Sequence, residues 1–357
     1  MELNLEAVLK EAAEKGASDL YLISGKPLSM KLGGDIYELH QSRLMPDDTM
    51  EYIQEIYMLA SSRDIGRLEE TGDDDFSFSL PGVARFRVSA FKQRGTLAAV
   101  IRVVAFDLPD PATLAIPPVA LMQAQRKKGL VLVTGPTGSG KSTTLACMID
   151  EINKSRNAHI ITIEDPIEFL HRHNKSIVSQ REVTLDTKTY SVALRAALRQ
   201  APNVILLGEL RDSETIEIAM TAAETGHLVL STLHTVGSAN TIDRIVDAFP
   251  ANQQGQIRVQ LAMVLGAVIS QQLVPKISGG VFPAFEVMIV NDAIRNMIRE
   301  SKIHQIDGVI TSSAAEGMMT MDGSLLALYR AGQISDGSAI AFSTQPELMK
   351  KRIAGAM

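Results

Sequence analysis

Eight consecutive residues, Gly135-Pro136-Thr137-Gly138-Ser139-Gly140-Lys141-Ser142, carry the densest chemical signal in the chain. The glycines allow backbone N–H groups to fold around di- and triphosphate oxygens. The Lys141 ammonium can reach the outer phosphates, and the Ser142 hydroxyl can ligate Mg²⁺. Thr143, the next residue, completes the candidate phosphate-binding set. An apolar run, Gly129-Leu-Val-Leu-Val133, precedes the motif, and a helical pattern beginning Thr143-Thr-Leu-Ala follows it. This strand–loop–helix context is the one a phosphate-binding loop needs, because the helix also directs the positive end of its dipole at the anion.

Three further polar groups fall at the ends of apolar strand patterns downstream. Ile163-Glu164-Asp165-Pro166-Ile167-Glu168 places three carboxylates in five residues around a strand-ending proline, a means of presenting acids for water activation or contact with metal-bound water. Val204-Ile-Leu-Leu-Gly208-Glu209 is a buried strand ending in an acid, the layout of an element that holds Mg²⁺ directly or through water. Gly208 stands where many phosphate-loop enzymes carry Asp, which leaves Glu209 as the available acid. Gly226-His227-Leu-Val-Leu-Ser-Thr232-Leu-His234-Thr235 ends a third strand, with Thr232 and His234 able to sense a γ-phosphate by hydrogen bonding. Each segment alone reads as an ordinary polar strand exit. Their joint arrangement, a polar cluster at the same end of four strands, is what points to one site.

The elements that must hold these groups follow from pattern. From Gly129 onward, strand and helix signals alternate, with strands nearly continuous in Val, Ile and Leu, the signature of a parallel sheet covered on both faces. Ligands of such sheets sit at the carboxyl ends of the strands. Strand patterns at 268–274 and 281–288 follow, and then the chain reads as mostly helical. The first hundred residues differ: helical periodicity at 5–15 and 46–60, a short strand at 19–23, and an antiparallel meander over 76–80, 84–93 and 96–104. Between the two regions, residues 107–118 hold four prolines in twelve positions, the best linker candidate.

Composition narrows the class. A chain of 357 residues with 45% hydrophobic content most simply holds two domains. Thirty-five Lys and Arg against 41 Asp and Glu give a formal net charge of -6, so no overall cationic field recruits nucleic acid or anionic lipid. The N-terminus is acidic and amphipathic where a secretory signal would be basic and then apolar, and no stretch has the length of a membrane span. One cysteine, Cys147, excludes an intrachain disulfide and fits a reducing cytoplasm; it falls at an apolar helix position and reads as core.

The motifs together resemble the secretion-ATPase superfamily of P-loop motors, the GspE/PilB/PilT family, and within it the type IV pilus retraction ATPases of the PilT and PilU type. The resemblance is carried by GPTGSGKSTT from Gly135, IEDPIEF from Ile163, SQREV from Ser179, LRQAPNVILLGELRD from Leu198 and ETGHLVLSTLHT from Glu224. GASDLYL from Gly16 and ARFRV from Ala84 extend it into the first region. It implies an α/β protein with an N-terminal PAS-like α+β domain (1–106), the linker (107–118) and a RecA-like P-loop ATPase domain with a C-terminal helical region (119–357).

The resemblance further implies a cytoplasmic hexameric ring at the inner face of the cell membrane, with nucleotide at the junction between domains and subunits. ATP and Mg²⁺ would be held by Lys141 and Ser142, with Glu209 on the metal side. An Asp-box glutamate, Glu168 in preference to Glu164, would polarise the attacking water. Arginines of the first domain are expected at the phosphates, and of Arg85, Arg87, Arg94 and Arg102 the favoured pair is Arg94 and Arg102. Partners would be further copies of the chain, the inner-membrane pilus platform and a paralogous retraction ATPase. Membrane association would run only through partners, and no nucleic acid is expected. Extension motors of the family carry extra N-terminal domains and a tetracysteine insert that a one-cysteine chain lacks. The segment AIRNMIRE from Ala293 is similar to one found in retraction motors, whereas Tyr21 and His171-Arg172-His173 are more similar to the accessory PilU type. An accessory subunit with mainly regulatory nucleotide binding, and a secretion or conjugation ATPase moving another substrate, remain the alternatives.

Overall fold

The fold follows from where the apolar stripes and alternations find partners. The computed structural model describes residues 4–104 and 108–355, so the boundary drawn at 106/107 lies outside the described residues. The chain forms two compact units, Met1–Asp107 with Glu168–Leu170, and Leu108–Ile167 with His171–Met357.

The first unit is a sheet covered by helices. Helix α1 (Leu5–Glu14) starts where the Asn4 side chain accepts the Ala7 N–H, and it buries Leu5, Val8, Leu9 and Ala12, a stripe at helical spacing. Strands β1 (Asp19–Leu22), β2 (Pro27–Leu32) and β3 (Asp35–Arg43) follow, then helices α2 (Pro46–Leu59) and α3 (Gly66–Thr71), then β4 (Asp73–Leu80), β5 (Ala84–Gln93) and β6 (Thr96–Val104). All pair antiparallel in the order β3-β2-β1-β6-β5-β4. Ala84, Phe86, Val88 and Ala90 of β5 alternate inward, with Phe86 stacked on Phe78. Asp74 is buried beneath this layer, bound by two Arg63 nitrogens at 2.9 Å each and by the Tyr57 hydroxyl at 3.0 Å. Burial raises its pKa, but those hydrogen bonds outweigh burial and hold the carboxyl below its ordinary value.

The second unit begins with a segment, 108–117, that forms no helix or strand, in keeping with its prolines. Helix α4 (Pro118–Met122) leads to β7 (Gly129–Thr134), α5 (Lys141–Ser155), β8 (His159–Glu164), β9 (Ile177–Glu182), α6 (Tyr190–Ala197) and β10 (Val204–Leu207). There follow α7 (Ser213–Glu224), β11 (Leu228–Leu233), α8 (Ser238–Asp247), α9 (Ala251–Val264), β12 (Leu265–Pro275) and β13 (Val281–Ile289). The sheet order is β13-β12-β7-β11-β10-β8-β9, parallel throughout except for the antiparallel β12–β13 edge. Every residue of β7, β10 and β11 is buried, as uniformly apolar strands between two helical layers must be. One layer packs Leu194, Ile216, Met220, Ile245 and Leu261 against the sheet; the other packs Leu145, Met148 and Ile152. Cys147 lies in the latter, and burial pushes its thiol up to about 11, so it is core. Helices α10 (Asp292–Arg299), α11 (Ile306–Ser312), α12 (Met321–Arg330), α13 (Asp336–Ala341) and α14 (Pro346–Ala354) complete the described chain. Among the described residues no helix is long and apolar enough to cross a membrane.

Candidate functional site

The parallel sheet aligns the exits of its central strands. Thr134 of β7 is level with Leu233 of β11, and Leu207 of β10 with Ile163 of β8, so the segments after them share one edge. Gly135 N donates to Leu233 O at 3.2 Å and Gly208 N to Ile163 O at 2.8 Å, which keeps the loops adjacent just past the sheet.

The loop from Gly135 is built tightly. Gly135, Gly138 and Gly140 have φ of +143°, +77° and +87°, values that disfavour any side chain. A Cβ on Gly135 would lie 2.1 Å from Gln271 O, and one on Gly140 would lie 2.7 Å from Gln271 Nε2. Gly138 faces open space, and the buried Ser139 hydroxyl has no hydrogen-bond partner among the described residues. Gly140 caps α5, which opens at Lys141. An uncrowded glycine turn, an unsatisfied hydroxyl, a buried cation and a helix N-terminus fit a polyphosphate.

The Lys141 Nζ donates to Gly135 O and Pro136 O, each at 2.9 Å, and lies 3.5 Å from His234 Nδ1; Thr137 Oγ1 lies 3.4 Å from the same nitrogen. On the other side of the ring, His234 Nε2 is 3.1 Å from Glu209 Oε2. Burial pushes the Glu209 pKa up, but hydrogen bonds from Arg211 and His234 more than offset it, and the net shift is downward. An ionised carboxylate only accepts, so Nε2 is the ring nitrogen that donates here, and in the neutral imidazole Nδ1 is then the acceptor facing Thr137 and Lys141. Arg211 also approaches Asp165 Oδ2 at 3.6 Å. Lys141, Thr137, His234, Glu209, Arg211 and Asp165 thus form one continuous polar chain drawn from four strand exits.

Glu164 lies alongside. Its Oε1 accepts from Thr162 Oγ1 at 2.6 Å and from Gln180 Nε2 at 3.3 Å, and its Cα would be 3.5 Å from a Cβ on Gly208. Thr232 turns away from phosphate duty, donating to Gly208 O at 2.6 Å. Ser142 and Thr143 stand half-buried in the first turn of α5, and Glu168 is exposed beyond the end of β8. In the first unit, Arg94 occupies the turn between β5 and β6 with φ of +49°, and Arg102 Nε pairs with Asp19 Oδ1 at 3.0 Å. Sequence reading passed over Gln271, whose amide grips the glycine loop, and gave no role to Gln180 of the SQREV segment, whose amide oxygen also accepts the His171 N–H at 2.8 Å. A glutamine inside an apolar strand pattern carries no motif, so Gln271 had no signal beyond being polar at a buried position, and Gln180, half-buried, had none beyond its place in that segment.

The family model described as Type II/IV secretion system protein matches residues 1–314. The type IV pilus retraction ATPase PilT of Pseudomonas aeruginosa is 46% identical over 345 residues, covering 97% of this chain and 99% of that protein. The type IV pilus ATPase PilU of the same organism is 40% identical over 340 residues, covering 95% and 88%. Among solved structures, the pilus retraction motor PilT with bound ADP superposes with a TM-score of 0.89 at 48% identity, covering 98% of this chain and 100% of that one.

Proposed function

Because the chain belongs to the Type II/IV secretion system protein family, we propose that it is an ATP hydrolase whose turnover drives type IV pilus retraction and hence twitching motility. The observation that carries the reading is the polar chain from Lys141 through His234 to Glu209 at the mouth of a glycine loop shaped for phosphate. In this account the two units are a PAS-like domain, 1–106, and a RecA-like ATPase domain, 119–357, joined by 107–118. They work in a homo-hexameric ring at the inner face of the cytoplasmic membrane, docked on the pilus platform and alongside a paralogous ring subunit.

The chemistry follows from the residues present. The loop amides of 135–140 and the Lys141 ammonium hold the outer phosphates, and Ser142 with Glu209 would hold Mg²⁺, the latter in part through water. When bound, the cation neutralises charge on the transferring phosphoryl group. Glu209 keeps His234 in the tautomer whose Nδ1 accepts, so the imidazole can report the loop's state to the neighbouring strand exit. Of the two glutamates the resemblance offers for polarising the attacking water, Glu168 is taken in preference to Glu164; Glu168 is exposed, and Glu164 Oε1 accepts from Thr162 and Gln180. Arg94 and Arg102 supply positive charge as the site closes. Coupling to mechanical work arises because the hydrolytic arrangement is complete only in the closed state.

Phosphate release by the purified chain with Mg²⁺ and ATP tests the reading. Lys141→Ala is expected to lower turnover by about 10²-fold or more, the scale of losing a preorganised donor to developing charge. ATP binding with no turnover in the wild type would instead favour an accessory role, the second reading that the 40% identity to PilU supports.

A further inference from the structure

We infer that Gln271, on β12 and outside every phosphate-binding motif, is a positioning residue that sets the shape of the glycine loop; this rests on the reading of that loop as a nucleotide site. Strand β12 runs parallel to β7 with Ser270 level with Thr134, which brings the next residue, Gln271, level with Gly135. Its side chain is 4% exposed and uses both ends of its amide. Nε2 donates to Ser139 O at 2.6 Å, and Oε1 accepts from Thr144 Oγ1, one turn into α5, at 2.7 Å. One residue therefore clamps the loop to the helix that follows it.

Gln271 adds to what the positive φ already demands at two of the three glycines. The backbone oxygen of Gln271 occupies the space a Cβ on Gly135 would need, and its amide nitrogen the space a Cβ on Gly140 would need. The clamp also orients a donor. In a planar trans peptide the C=O and the following N–H point in opposite directions. With the Ser139 carbonyl turned onto Gln271, the Gly140 N–H is directed away from Gln271. That is the outward sense in which a phosphate loop must present its amides. Without the clamp, the peptide between Ser139 and Gly140 has no side-chain hydrogen bond to resist rotation, and glycine tolerates the alternatives.

Gln271→Met keeps the volume and removes both hydrogen bonds. It is expected to weaken ADP binding, read by calorimetry, about tenfold, since two buried bonds and a preorganised donor are lost. The KM for ATP should rise in step while kcat at saturating ATP stays within about threefold, because no group in contact with the reacting atoms has changed. Thr144→Val removes one bond and leaves the strand untouched; it should weaken ADP binding about threefold. The double variant should be no weaker than Gln271→Met alone, the signature of one shared network. Folded Gln271→Met or Thr144→Val protein that binds ADP as the wild type does would overturn the inference, as would a fall in kcat with KM unchanged. Wild-type ADP binding that is insensitive to Lys141→Ala would overturn the nucleotide reading and this inference with it.

Discussion

At the scale of single residues, the site works by fixing protons and charges before any ligand arrives. Hydrogen bonds from Arg211 and His234 hold the Glu209 carboxyl below its ordinary pKa, and it is the Nε2 edge of the His234 ring that faces it. Arg102 and Arg94 are more exposed cases. Arg102 has an acceptor within its own unit, Asp19 at 3.0 Å, and Arg94 holds a left-handed turn. If they act on phosphate in the assembled enzyme, Arg94→Ala and Arg102→Ala will each lower kcat about 10³-fold, the lower end of what an arginine finger contributes. ADP affinity would be largely kept. An equal loss of turnover in Asp19→Asn would show that Arg102 acts only through its ion pair.

At the scale of elements, strands β7, β8, β10 and β11 were legible because a strand covered on both faces has to be continuously apolar, and their polar exits were legible because chemistry interrupts that run. The β2–β3 hairpin was not. Every residue of β3 is exposed or half-buried, so Asp35–Arg43 has no buried face to read. Edge strand β9 was missed for a related reason: Ser179, Gln180 and Arg181 are half-buried, and the middle of the strand looks like loop. Gln271 lay in a strand pattern that was recognised, but its role depends on register against β7, which no local pattern contains. The loop joining β8 to β9 carries a testable consequence of burial. Burial lowers the His171 pKa to about 4, and its Nδ1 has no hydrogen-bond partner among the described residues. The folded value lies below the unfolded value of about 6.5, so between pH 6.5 and 4 the unfolded chain binds more protons. Stability from this group therefore falls as pH drops through that window and levels off below it. His171→Gln should flatten the dependence of denaturation midpoint on pH between 4 and 6.5 by up to one proton; an unchanged slope would place His171 in solvent.

At the scale of the whole molecule, the chain divides into two compact units, one built on an antiparallel sheet and one on a mainly parallel sheet that carries the glycine loop. The formal charge of -6 offers no overall cationic field to a nucleic-acid track. The PilT and PilU relatives, matched over nearly the full length of the chain, point to the pilus. Direction matters most, because similar ATPase chemistry could extend or retract a fibre. The most direct measurement is to delete the gene and score surface pili and twitching, with complementation by the wild type and by Lys141→Ala. Retraction predicts cells that keep or accumulate pili yet do not twitch, restored by the wild type and not by Lys141→Ala. Bald cells after deletion, or full twitching with Lys141→Ala as the only copy, would contradict it.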